Sequence, residues 1–70
     1  MITLANIRER LTDAIRLCGL TQTELARRLG INQSTVAQYL SGRAMPALDT
    51  FARLCAVLDV EPSYILCITD

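Results

Sequence analysis

Leu20-Thr21-Gln22-Thr23-Glu24-Leu25-Ala26-Arg27-Arg28-Leu29-Gly30-Ile31-Asn32-Gln33-Ser34-Thr35-Val36-Ala37-Gln38-Tyr39-Leu40-Ser41-Gly42-Arg43 decides the fold of this 70-residue chain. It reads as two short helices joined by one tight turn. Thr21 stands before the first, and Glu24 completes a Thr-x-x-Glu capping box, in which two orphaned N–H groups are satisfied reciprocally. Leu25, Ala26 and Leu29 form an apolar stripe over a helix of about 22–29. Gly30 then permits a positive φ without a steric cost, and Ile31 returns the chain to the core. Asn32 is of the type that caps a helix by accepting a backbone N–H bond. The second helix follows over about 33–41, with Val36, Tyr39 and Leu40 as its inward stripe and Gly42 as its stop. So short a connection sets the two helices at a steep angle, and the small Ala26 lets their backbones approach.

The same signals extend outward. Ile7, Leu11, Ala14 and Cys18 recur at helical spacing from Leu4 to Cys18, and Gly19 provides a left-handed stop. Leu48, Phe51, Leu54, Cys55 and Leu58 predict an inward stripe on a helix over 48–58. Its cap position holds Ala47, which offers no acceptor, so this helix is expected to fray or to start differently. Pro62 suits the first position of a short fifth helix over 62–67, where its missing N–H costs nothing. No stretch alternates with period two between hairpin turns, so no sheet is predicted. The expected fold class is all-α, five short helices packed as one compact domain over residues 1–70.

Size and composition narrow the function. A chain of this length buries about 60% of its unfolded surface, which leaves no room for a deep substrate cleft beside a core. No apolar run approaches the roughly 18 residues of a membrane span, and the start lacks the basic and apolar regions of a secretion signal. The expectation is a soluble cytoplasmic protein with no membrane partner. Cys18, Cys55 and Cys67 are odd in number and form no close pair, so they read as small buried hydrophobes in a reducing compartment. The chain has no His and no Cys-x-x-Cys pair, so no metal site or cofactor is expected. No paired carboxylates, Gly-rich phosphate loop or nucleophile–base pair is present either, which excludes an enzyme and leaves no small-molecule substrate in view.

The zero net charge hides an asymmetry. Six arginines oppose three acids through Arg43, while beyond Arg43 Arg53 alone opposes four acids. Every cation is Arg, the residue suited to forked contacts with phosphate and guanine.

Several motifs together resemble the phage repressor and Cro-like helix-turn-helix regulators, also called the xenobiotic-response-element family. They are Gly19-Leu20-Thr21-Gln22, Glu24-Leu25-Ala26, Leu29-Gly30-Ile31, Gln33-Ser34-Thr35-Val36, Ser41-Gly42-Arg43, Pro46-x-Leu48 and Leu58-x-Val60-x-Pro62. Each token is weak, but their joint spacing covers nearly the whole chain. The resemblance implies a lambda-repressor-like domain, with the helix-turn-helix at about 22–41 and the third helix in the major groove of double-stranded DNA. It implies a homodimer on a two-fold operator. By matching position, Gln33, Ser34 and Gln38 would read bases. Gln22, Asn32, Thr35, Ser41, Arg43 and Arg10 would touch phosphate or support the contact. The side-chain chemistry agrees, because Gln pairs bidentately with adenine and hydroxyls serve either groove edge.

The chain also departs from the family pattern. Ile15, Leu17 and Cys18 stand where polar residues are common, and Ile68 lies just past the fifth helix. These groups either fill a core or form a surface patch. A patch would favour a second reading, a protein-interaction module on the same fold with DNA binding lost. Tyr39 is placed in the core by its position on the inward stripe.

Overall fold

The computed structural model describes residues 1–69; Asp70, one of the acids counted above, lies outside them. The chain forms α1 (Leu4–Leu17), α2 (Gln22–Leu29), α3 (Gln33–Ser41), α4 (Leu48–Leu58) and α5 (Pro62–Ile65). No strand occurs among the described residues, and none of their helices is long and apolar enough to cross a membrane.

The helix ends show which local signals act. The Thr3 Oγ1 accepts the Asn6 N–H at 3.1 Å and starts α1. At the other end the Cys18 thiol donates to the Ile15 carbonyl at 3.0 Å and accepts the Leu20 N–H at 3.4 Å. The Thr21 Oγ1 caps α2 by accepting the Glu24 N–H at 3.1 Å. Only this half of the capping box forms. The Glu24 carboxylate turns instead to Arg27 at 2.6 Å and Arg28 at 3.3 Å, because charge-assisted bonds outcompete a neutral N–H. Gly30 takes φ +72°, and the Ile31 N–H reaches back to the Ala26 carbonyl at 3.0 Å, the closing bond of a Schellman stop.

Asn32 does not cap α3 through its side chain. Its backbone carbonyl takes the Thr35 N–H at 3.0 Å, and its side-chain amide has no partner among the described residues. Helix α4 begins at Leu48 despite the uncapped Ala47. Leu48 was expected to point inward and is 83% exposed. It is the first helical residue, and side chains lean toward the helix N-terminus, so Leu48 overhangs the end of α4. Helix α5 stops at Ile65, two residues short of the expected limit. Cys67 lies in the left-handed region at φ +63°, a conformation that a helix cannot continue through.

The largest fully buried side chains are Leu11, Leu25, Val36, Leu54 and Ile65, one from each helix. Each contributes about 1.5–3 kcal/mol by leaving water. Tyr39 is buried in the same cluster. Helix α2 packs on α3 and α4, while α1 packs on α3 and α5. The surplus apolar residues divide. Ile15 is core, whereas Leu17 and Ile68 are exposed and Cys18 is half-buried. Among the cysteines only Cys55 is fully buried, and burial pushes its thiol pKa up; Cys18 and Cys67 are half-buried, and all three are free.

Candidate nucleic-acid interface

Burial of Val36 and Tyr39 sets the orientation of α3. With one stripe held in the core, the opposite face of the same helix must look outward. Gln33, Ser34 and Gln38 are all exposed there. They line a shallow open groove together with Ala37, Ser41 and Arg43. Ser34 and Gln38 are one turn apart and share a row, while Gln33 and Ala37 form the adjacent row. The small Ala37 between the polar groups keeps the groove floor low.

The fold also makes a contact between α2 and α3 that joins two of the expected site residues. The Gln33 Nε2 donates to the Gln22 Oε1 at 2.6 Å. This orients both amides. Gln33 keeps one N–H and its whole Oε1, while Gln22 keeps both N–H groups of its Nε2. Gln33 therefore still offers a donor and an acceptor side by side, while Gln22 keeps its full donor capacity and one acceptor lone pair.

The remaining expected residues are less uniform. Asn32 is exposed with its amide free, and Thr35 is half-buried beside it. The Ser41 hydroxyl donates to the Gln38 carbonyl at 3.1 Å; it must rotate to donate elsewhere. Arg43 is exposed and has no ion pair or side-chain hydrogen bond among the described residues. Arg10 does not line this groove. Its guanidinium donates to the carbonyls of Tyr64 at 2.6 Å and Thr69 at 2.8 Å. It also lies 4.5 Å from the Tyr64 ring centroid, so it ties the end of the described chain to α1.

Two further arginines lie close to these groups. Arg16 lines a cleft with Thr21 and Gln22 at the start of α2. Arg8 reaches from α1 to Gly42, just past the end of α3. Neither stands in a motif of the helix-turn-helix stretch. Their placement depends on how α1 packs, and the only sequence signal was the bias toward arginine in the first half.

The other arginines, Arg27, Arg28 and Arg53, are each paired with an acid. Arg27 and Arg28 flank Glu24, and these two partners hold its carboxyl below the usual value. Arg53 sits 3.9 Å from Asp49 on α4.

A family model described as "Helix-turn-helix" matches residues 11–65. Three curated relatives are each 46% identical over 41 residues. They are the HTH-type transcriptional regulators for conjugative element R391 of Providencia rettgeri, SXT of Vibrio cholerae and pMERPH of Shewanella putrefaciens. The aligned stretch covers 59% of this chain and 19% of each relative, so the chain matches about a fifth of their length. No solved structure matches it.

Proposed function

This chain belongs to the helix-turn-helix family of the phage-repressor and Cro-like type, and on that premise we propose that it is a sequence-specific regulator of transcription. It inserts α3 into the major groove of double-stranded DNA, as one half of a homodimer on a two-fold operator in the cytoplasm. The observation that carries this reading is the outward polar face of Gln33, Ser34 and Gln38 on a helix anchored by Val36 and Tyr39.

The hydrogen bond between Gln22 and Gln33 supports a division of labour. Gln33 retains the donor and acceptor needed to pair with adenine N7 and N6. Gln22 retains both N–H groups of its Nε2, which can donate to a phosphate oxygen. One contact reads sequence while the other sets register, and the bond between them couples the two. Ser34 and Gln38 extend the reading row. The free Asn32 amide, with Thr35, Ser41 and Arg43, gives further phosphate or supporting contacts. Arg10 serves in this reading as the tie to Tyr64 and Thr69.

The exposed Leu17, 84% accessible, and Ile68 favour a second reading, a protein-binding module on this fold. A salt titration separates the two. A DNA complex with several phosphate contacts weakens steeply between about 50 and 200 mM salt, whereas a mainly apolar interface changes little. Tight duplex binding that fades over this range supports regulation through DNA. No measurable duplex binding at the low-salt end would overturn it.

A further inference from the structure

We infer that Arg8 is a further DNA-backbone contact, which the fold brings from α1 to the end of α3 to form a two-arginine phosphate clamp with Arg43. The inference rests on the DNA-binding reading above and adds to it a residue outside the helix-turn-helix stretch.

Three observations converge on Arg8. The first is its place. A Cβ built on Gly42 would lie 3.1 Å from the Arg8 Cδ, 3.4 Å from its Nε and 3.8 Å from its Cζ. The side chain therefore lies across Gly42, whose neighbours Ser41 and Arg43 line the α3 groove. The second is its lack of a partner. Arg10, Arg27, Arg28 and Arg53 each have a carbonyl or carboxylate within reach. Arg8 forms no ion pair or hydrogen bond among the described residues, and its Nε is buried without an acceptor. Since only the Nε is both buried and unpartnered, the two outer nitrogens reach solvent. The third is pre-organisation. Packing against Gly42 holds the stem while the outer edge of the fork stays open, so little rotamer freedom remains to be lost when an anion binds.

Arg8 lies against Gly42 and Arg43 follows it in the chain, and neither has an ion pair among the described residues. A phosphate oxygen pair can accept the outer N–H bonds of the Arg8 fork, a geometry in which Arg exceeds Lys. Gly42 has a double task here. It supplies the left-handed turn at φ +80° and the space that Arg8 occupies.

The test uses the full chain and sheared mixed-sequence duplex DNA, whose binding reports phosphate contacts independently of operator sequence. Wild type, Arg8→Ala, Arg8→Lys and Arg43→Ala are titrated at several salt concentrations, with folding of each checked by its helical melt. One phosphate contact carries a slope of about −0.9 in log K against log salt. Removing it shrinks the affinity gap between wild type and Arg8→Ala by about 3.5-fold from 50 to 200 mM salt. The expected result is that shrinkage, a similar one for Arg43→Ala, and partial retention of binding by Arg8→Lys. Unchanged affinity and slope in a folded Arg8→Ala would overturn the clamp. Weaker binding at an unchanged slope would overturn it too, because Arg8 would then act through α3 and not on the phosphate. If wild type itself fails to bind duplex DNA, the function proposed above falls, a result distinct from either failure of the clamp.

Discussion

Consider the paired substitution of Gln22 and Gln33. Gln33→Ala removes the amide proposed to bracket adenine, a bidentate contact worth about 1–3 kcal/mol of discrimination, or roughly 5- to 150-fold in affinity. That loss is confined to one base-pair position. Gln33→Ala also strips Gln22 of its partner at 2.6 Å. The net value of such a neutral bond is about 0.5–1.5 kcal/mol, so the phosphate contact of Gln22 weakens on every sequence. Gln22→Ala acts in reverse. It lowers binding to all duplexes and loosens the amide of Gln33. The two substitutions therefore share one interaction, and the double variant should lose less than the sum of the singles by about 0.5–1.5 kcal/mol. Fluorescence-anisotropy titrations of all four proteins against an enriched duplex and its single-base variants measure both effects. Additivity within about 0.3 kcal/mol would refute the coupling. An unchanged ranking of the base variants for Gln33→Ala would refute the assignment of Gln33 as a reader.

Three other outcomes can be checked on the free protein. Leu29→Asp places an unpaired charge in the core at a buried position, where the cost of several kcal/mol matches the about 3–5 kcal/mol that so small a core supplies; a retained cooperative melt would contradict the placement. Gly30→Ala and Gly42→Ala meet similar left-handed strain, at φ +72° and +80°, but only the Cβ at Gly42 crowds Arg8. Each should lose about 1 kcal/mol or more of stability, with the Gly42 variant losing more; equal melting shifts would show that Arg8 yields freely. Glu24 has its pKa lowered from 4.5 by Arg27 and then Arg28. Its carboxylate therefore adds stability above the ordinary value, and this is lost as pH falls through the depressed folded value. Wild type should lose stability over that window more steeply than Glu24→Gln, and NMR titration should place Glu24 below 4.5.

The limits of α2 and α3 were legible because local chemistry set them. Thr21, Gly30 and Gly42 act on neighbours within five residues, and their geometry follows from residue type. The outward row of α3 was legible for the same reason, as the complement of an apolar stripe. What escaped involved competition or distance. Glu24 had a choice between a backbone N–H and two arginines, and charge decided it. Asn32 had a side chain fit to cap α3 and left that task to its backbone carbonyl. Leu48 matched the inward period but fell on the overhanging end of its helix. The bond between Gln22 and Gln33, the tie of Arg10 to Thr69 and the contact of Arg8 with Gly42 join residues on different segments. No local pattern encodes them, because each depends on the packing of whole helices.

Selection of bound sequences from a random duplex pool, run in parallel with wild type and Gln33→Ala, bears most directly on α3 as the reading element. The wild-type pool should converge on inverted half-sites with centres about 10 base pairs, or 34–36 Å, apart. The Gln33→Ala pool should keep that spacing and lose preference at one position in each half. A wild-type pool no different from its input, or two enriched pools with identical base preferences, would contradict the account.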